Sequence, residues 1–110
     1  SVLLNDYQLE SRSTARYPDA GSNLIYPTLG LTGEAGEVAD KVKKLIRDHD
    51  GVVDKRFKED VALELGDVLW YVAQLATELG LSLEDVAAAN LRKLKSRSER
   101  GTLQGEGDHR

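Results

Sequence analysis

The chain has 110 residues, 40% hydrophobic and 31% charged, with a net charge of −4 and no cysteine. Length and balance suit one folded domain, or one protomer of an assembly, rather than a disordered chain. The acidic charge argues against broad nucleic-acid binding, no apolar run reaches the length of a membrane span, and the lack of cysteine excludes disulfides, thiolate metal sites and a cysteine nucleophile.

The N-terminus carries no basic segment followed by an apolar core, so no signal peptide is evident, and the expected location is cytoplasmic. Four helical segments can be read. The first runs roughly from Asp6 to Arg16, with Asn5 as its N-cap and Pro18 closing it. Residues 18–27 hold Gly21, Ser22 and Asn23 between two prolines and read as a loop. The second helix is expected from about Leu29 to Asp48. Its apolar stripe is Leu31, Ala35, Val38, Val42 and Leu45, spaced alternately by four and three. Gly30, Gly33 and Gly36 crowd its first half at about 1 kcal/mol each relative to alanine, which implies a frayed start or the close approach of another backbone. Asp50-Gly51 marks a turn.

The third helix is expected from about Lys55 to Leu79, N-capped by Asp54, with Val61, Leu65, Val68, Val72, Leu75 and Leu79 as its stripe. Gly80 stands where a left-handed C-cap belongs. Ser82 and Asp85 resemble a capping box opening a fourth helix, whose apolar face carries Leu83, Ala87, Leu91 and Leu94. The fold class is therefore all-α. A single domain is expected over residues 1–98, followed by a polar, glycine-containing tail at 99–110 that frays.

Two acidic pairs stand out within these helices. Glu34 and Glu37 form E-x-x-E, and Glu64 and Asp67 form E-x-x-D. Each pair puts two like charges on one helix face, which is mildly unfavourable. The short link between the second and third helices predicts an antiparallel hairpin. The pair midpoints then lie about 12 and about 10 residues from the turn, or roughly 19 and 16 Å along the helices. Glu34, Glu37, Lys41 and Lys44 sit one position before the core stripe, as do Glu64, Asp67, Tyr71, Gln74 and Glu78 on the next helix. Asn90, Lys93 and Arg97 occupy a comparable position on the fourth. A single such pair is usually a solvated surface feature. Two pairs at matched height beside the core point instead to a shared hard cation with oxygen ligands, Mg²⁺ or Mn²⁺. A di-metal redox site would need Glu-x-x-His pairs on the helices, but His49 falls in the turn and His109 in the tail.

The segments G-E-A-G-E-V (33–38), E-L-G-D-V-L-W-Y (64–71) and N-L-R-K-L-K-S-R (90–97) resemble the all-α nucleoside triphosphate pyrophosphohydrolases of the MazG-like type. The likeness spans about Tyr7 to Gly101. It implies a four-helix bundle protomer that assembles as a dimer, or more often as a tetramer built as a dimer of dimers. It also implies hydrolysis of a nucleoside triphosphate, such as a dNTP, between the α and β phosphates. The Mg²⁺ ligands would be Glu34, Glu37, Glu64 and Asp67. Phosphate and sugar would be held by Asn90, Lys93 and Arg97, with Tyr71 against the nucleotide. Removal of damaged or surplus nucleotides is a common role for such enzymes. Trp70 points off the acidic stripe and is expected to pack in the core or a subunit interface, and Tyr17 and Tyr26 flank the loop as walls for a base. Two alternatives remain. One is a phosphoribosyl-ATP pyrophosphohydrolase of the same fold and chemistry. The other is a non-enzymatic helical interaction module, which would have no use for converging acids.

Overall fold

The computed structural model describes residues 1–101, and every regular element within them is helical. Helix α1 spans Leu4–Ser11 and passes into a short 3₁₀ turn at Arg12–Thr14. It is followed by α2 at Ile25–His49, α3 at Lys55–Glu78 and α4 at Leu83–Glu99. The tail expected at 99–110 lies almost wholly outside the described residues.

Local chemistry accounts for most of the boundaries. The Asp54 carboxylate caps α3 by accepting from the Phe57 amide at 2.8 Å. At the other end Gly80 takes a left-handed φ of 69°. The Gly80 amide donates to the Thr77 carbonyl at 3.1 Å and the Leu81 amide to Ala76 at 2.8 Å, the paired bonds of a Schellman motif. Ser82 Oγ accepts from the Asp85 amide at 3.3 Å and opens α4.

Two expected boundaries are corrected. Helix α2 begins at Ile25 rather than Leu29, so Pro27 belongs to its first turn and not to the loop. Amides of a first helical turn have no intrahelical partner, so proline forfeits nothing there. The neighbouring free amide, that of Tyr26, is taken by Asn23 Oδ1 at 3.1 Å. Helix α1 ends at Ser11, short of Arg16. The Ser11, Ser13 and Thr14 hydroxyls bond back to the carbonyls of Gln8, Glu10 and Ser11 at 2.8, 2.8 and 2.9 Å, offering the backbone an alternative to further helix. Nor does Asn5 cap α1, which starts after Leu3. Its Oδ1 accepts from the Glu84 amide at 3.1 Å and from Ser82 Oγ at 2.9 Å, while Gln8 Oε1 accepts from the Leu83 amide at 2.7 Å. Side chains of α1 thus satisfy the free amides of α4 from across the fold.

Helices α2 and α3 form the main packed pair. Their contacts run in opposite order along the two helices: Gly30 faces Tyr71, and Lys41 faces Glu64. Gly30 is where a side chain could not be tolerated, because a Cβ there would fall 2.2 Å from the Tyr71 ring. No such approach occurs at Gly33 or Gly36, and α2 runs through all three glycines without fraying. The apolar stripes are covered only in part. Leu45, Ala73, Ala76 and Leu83 are buried. Val42, Leu65, Leu79, Leu91 and Leu94 stay exposed, with Leu63 at 71%. The reason is the seat of α4, which rests mainly on α1 rather than along α2 and α3.

The N-terminal arm is tied to α3 by one acidic side chain. Glu78 is 1% exposed and pairs with Arg12 Nη2 at 2.7 Å. It also accepts from the Tyr17 hydroxyl at 2.5 Å and from the Gly21 and Asn23 amides at 2.8 Å each. Beside it Gln74 is fully buried, donating to Ser11 Oγ at 2.8 Å and accepting from Arg12 at 3.1 Å. Burial opposes charge on Glu78. The Tyr17 hydroxyl, the two amides and Arg12 outweigh it, and hold the carboxyl down at about 2. A depressed carboxyl contributes stability that is present above its ordinary pKa of about 4.5 and is lost as pH falls toward 2. Glu78→Gln should therefore be less stable than the parent at pH 7. The gap should narrow between about pH 4.5 and 2, as urea denaturation across that range would show.

Candidate metal centre

The pairing of α2 with α3 decides which acids meet. Glu34, Glu64 and Asp67 each offer a carboxylate oxygen, and these atoms lie within 4.8 Å of one another. Glu34 and Glu64 are half-buried and Asp67 is exposed. Glu37 is exposed one turn further along α2 and lies outside this group of three. It remains close enough for its charge to act on Glu34.

The electrostatics show what the cluster lacks. The Glu34 carboxyl is held above its usual range, first by a hydrogen bond with Glu64, then by burial, then by the charges of Asp67, Glu64 and Glu37. Carboxylates this close oppose one another's ionisation. Lys41 Nζ stands 3.8 Å from Glu64. Lys44 is occupied by Asp40 at 2.9 Å. Oxygen-only donors, crowded and short of positive charge, fit a hard divalent ion. Neighbouring ligands of six-coordinate Mg²⁺ at about 2.1 Å stand about 3 Å apart, so small side-chain rotations would close the group.

Aromatic rings adjoin the acids. Tyr71 packs on Gly30, and its hydroxyl is pushed up by burial, by Tyr26, and by the charges of Glu34 and Asp67. Tyr26 stacks on Tyr17 with centroids 5.1 Å apart and planes 9° apart, and its ring lies 6.5 Å from that of Tyr71. Trp70 meets Tyr71 edge-on at 5.0 Å and Tyr17 at 6.5 Å, and its indole N–H donates to Thr14 at 2.9 Å. From α1, Tyr7 also reaches this region, its hydroxyl pushed up by burial and then by the charge of Asp67.

The basic residues do not share this arrangement. Asn90, Lys93 and Arg97 lie on α4, which is seated on α1. Asn90 is exposed, Lys93 half-buried and Arg97 buried at 2% exposure. Helix α4 packs chiefly on α1, whereas the clustered acids lie on α2 and α3. Gln74 and Glu78 are also placed differently, since they hold the N-terminal arm instead of lining an open groove. Their position on the acidic stripe was legible. Their partners Arg12 and Tyr17 carried no sequence signal, because those contacts span more than sixty residues.

Residues 26–102 match the family profile described as the MazG nucleotide pyrophosphohydrolase domain. The chain belongs to this family. The matched span contains all four acids of the two motifs as well as Asn90, Lys93 and Arg97. The chain is also 52% identical over 109 residues to the Gene 37 protein of Mycobacterium phage L5, covering 94% of this chain and 96% of the phage protein. No solved structure matches it. Among the described residues, no helix is long and apolar enough to cross a membrane.

A cation held by the MazG carboxylates competes with protons, the more so at Glu34, whose carboxyl is raised. Apparent Mg²⁺ affinity should therefore weaken as pH falls through the carboxylate range, with proton release on binding growing as it does. Calorimetry in buffers of different ionisation enthalpy measures both. Asp67→Ala and Glu64→Ala should each lower Mg²⁺ affinity by at least about tenfold, while the metal-free fold stays as stable as the parent or gains slightly through relieved repulsion.

Proposed function

We propose that this protein is a Mg²⁺-dependent nucleoside triphosphate pyrophosphohydrolase that cleaves (d)NTPs between the α and β phosphates, yielding a monophosphate and pyrophosphate. Family membership supports the reaction class. The observation that carries the metal dependence is the Glu34–Glu64–Asp67 cluster, whose carboxylate oxygens lie within 4.8 Å of one another. A divalent cation bound there would neutralise charge on the phosphates and make a bound water more acidic. The chain's own residues supply the rest. A carboxylate of the cluster accepts a proton from the attacking water, with Glu37 as the adjoining acid of the motif. The ring of Tyr26, 43% exposed, offers an aromatic face for the base beside the acids, with the ring of Tyr71 tilted 44° to it. Asn90, Lys93 and Arg97 hold sugar and phosphate oxygens. Clearing damaged or surplus dNTPs is the cellular role this chemistry suits.

The active form in this reading is a homo-oligomer, a tetramer in preference to a dimer. Two observations support it. Large apolar side chains are exposed along α2, α3 and α4, and burying such surface is worth about 25 cal/mol per Å². Helix α4, which carries Asn90, Lys93 and Arg97, packs chiefly on α1, while the clustered carboxylates lie on α2 and α3, and we take an adjoining subunit as a source of phosphate-binding residues.

A panel of dNTPs, rNTPs and phosphoribosyl-ATP with Mg²⁺ tests the activity. Chromatography should show monophosphate and pyrophosphate, and diphosphate with orthophosphate would refute α–β cleavage. Release from phosphoribosyl-ATP alone would move the assignment to histidine biosynthesis, and no release at all would favour a binding module. Light scattering at micromolar concentration should find an oligomer, whereas a fully active monomer would rule the assembly out. Mixing inactive Asp67→Ala with inactive Lys93→Ala should restore part of the activity if each site draws on two chains.

A further inference from the structure

Glu78 is a buried carboxylate that the proposed chemistry does not use, although it shares a helix stripe with Glu64, Asp67 and Tyr71. Its surroundings exclude a direct role. A carboxylate has about four lone-pair sites, and Glu78 receives four donors, from Arg12, Tyr17, Gly21 and Asn23. Three of these donors converge on Oε2 and the Asn23 amide takes Oε1, and with its side chain 1% exposed the carboxylate is closed off from metal and substrate. Three of those donors belong to the segment that leads into α2. Gly21 takes a φ of 105°, open to glycine and strained for other residues, at the place where its amide reaches the carboxylate. Two residues past Asn23 the chain enters α2, whose second residue is Tyr26.

The clamp therefore sets an aromatic surface. Tyr17 is buried, with its hydroxyl on Glu78 and Arg12, so its ring is fixed. Tyr26 lies flat on that ring, and Tyr71 and Trp70 complete the group. Tyr26 precedes Glu34 by eight residues of one helix, about 12 Å at the helical rise, a separation that a sugar and the first phosphates can span. We infer that Glu78 is a positioning residue for nucleotide binding: by holding Tyr17 and the 21–23 backbone on α3, it fixes the ring on which Tyr26 is stacked and so sets where Tyr26 meets a planar base beside the carboxylate cluster. The inference rests on the nucleotide-hydrolysing reading above, and it adds a residue that acts on binding rather than on the chemical step.

Two variants test it. Glu78→Gln keeps the shape and removes the charge. Tyr17→Phe keeps the stacked ring and removes one donor, so it remains informative should the first variant fold poorly. Both are assayed on the dNTP that the parent hydrolyses fastest, and by quenching of the single tryptophan, Trp70, on titration with the α,β-imido analogues of the four dNTPs. KM and the analogue Kd should rise about tenfold, the scale of one lost hydrogen bond to a charged group, with kcat held within about threefold and preference among the bases narrowed. An active parent whose folded variants keep its KM and Kd, or lose kcat alone, overturns the inference and leaves the proposed function standing. A parent that binds the analogues without hydrolysing any dNTP overturns the function, and the variants' Kd values then decide the inference. A parent that neither binds nor hydrolyses overturns both. Failure of both variants to fold assigns Glu78 to stability alone and also overturns the inference.

Discussion

Close packing of α2 on α3 underlies everything else in the molecule. The pair meets where Gly30 leaves room for the ring of Tyr71. One turn further along α2 stands Glu34, and one turn back along α3 stands Asp67. The contact that seats the tyrosine thereby brings acids from different helices within 4.8 Å. Like charges do not assemble for stability, and here they are held together by the packing of the helices that carry them. The raised Glu34 carboxyl is the visible strain of that arrangement.

Helix α3 carries two opposite solutions to the problem of a crowded carboxylate. Glu78 is buried among four donors and stays ionised far into acid. Glu64 and Asp67, three to four turns earlier, face other carboxylates, with Lys41 3.8 Å from Glu64. The first arrangement surrounds the carboxylate with donors and ties chain to chain. The second turns carboxylate oxygens toward one another. Residues of one type on one helix stripe thus take a structural role or a ligand role according to what the rest of the fold places against them.

The protomer is open for physical reasons. A chain of 110 residues that devotes 25 and 24 of them to two long helices has little left to cover their outer faces. Its fourth helix is drawn to α1, where Asn5 and Gln8 satisfy its first amides. The apolar residues Leu63, Leu65 and Leu91 are left facing outward.

Much of this was determined by the sequence alone. The helix period, the Asp54 and Ser82 caps, the Gly80 stop and the two acidic motifs are local features, governed by backbone hydrogen bonds and propensities within a few residues. They identify an all-α chain of the MazG family and name the acids of its centre. Only the tertiary structure decided which acids meet, that Glu37 stands outside the group of three, that α4 sits on α1, and that Gln74 and Glu78 hold the arm. Those outcomes depend on contacts between residues far apart in the chain, thirty for Glu34 with Glu64, fifty-six for Thr14 with Trp70 and sixty-six for Arg12 with Glu78. A periodic pattern records which face of a helix is apolar. It does not record which partner will cover that face, because the partner is chosen by the summed packing of the whole chain.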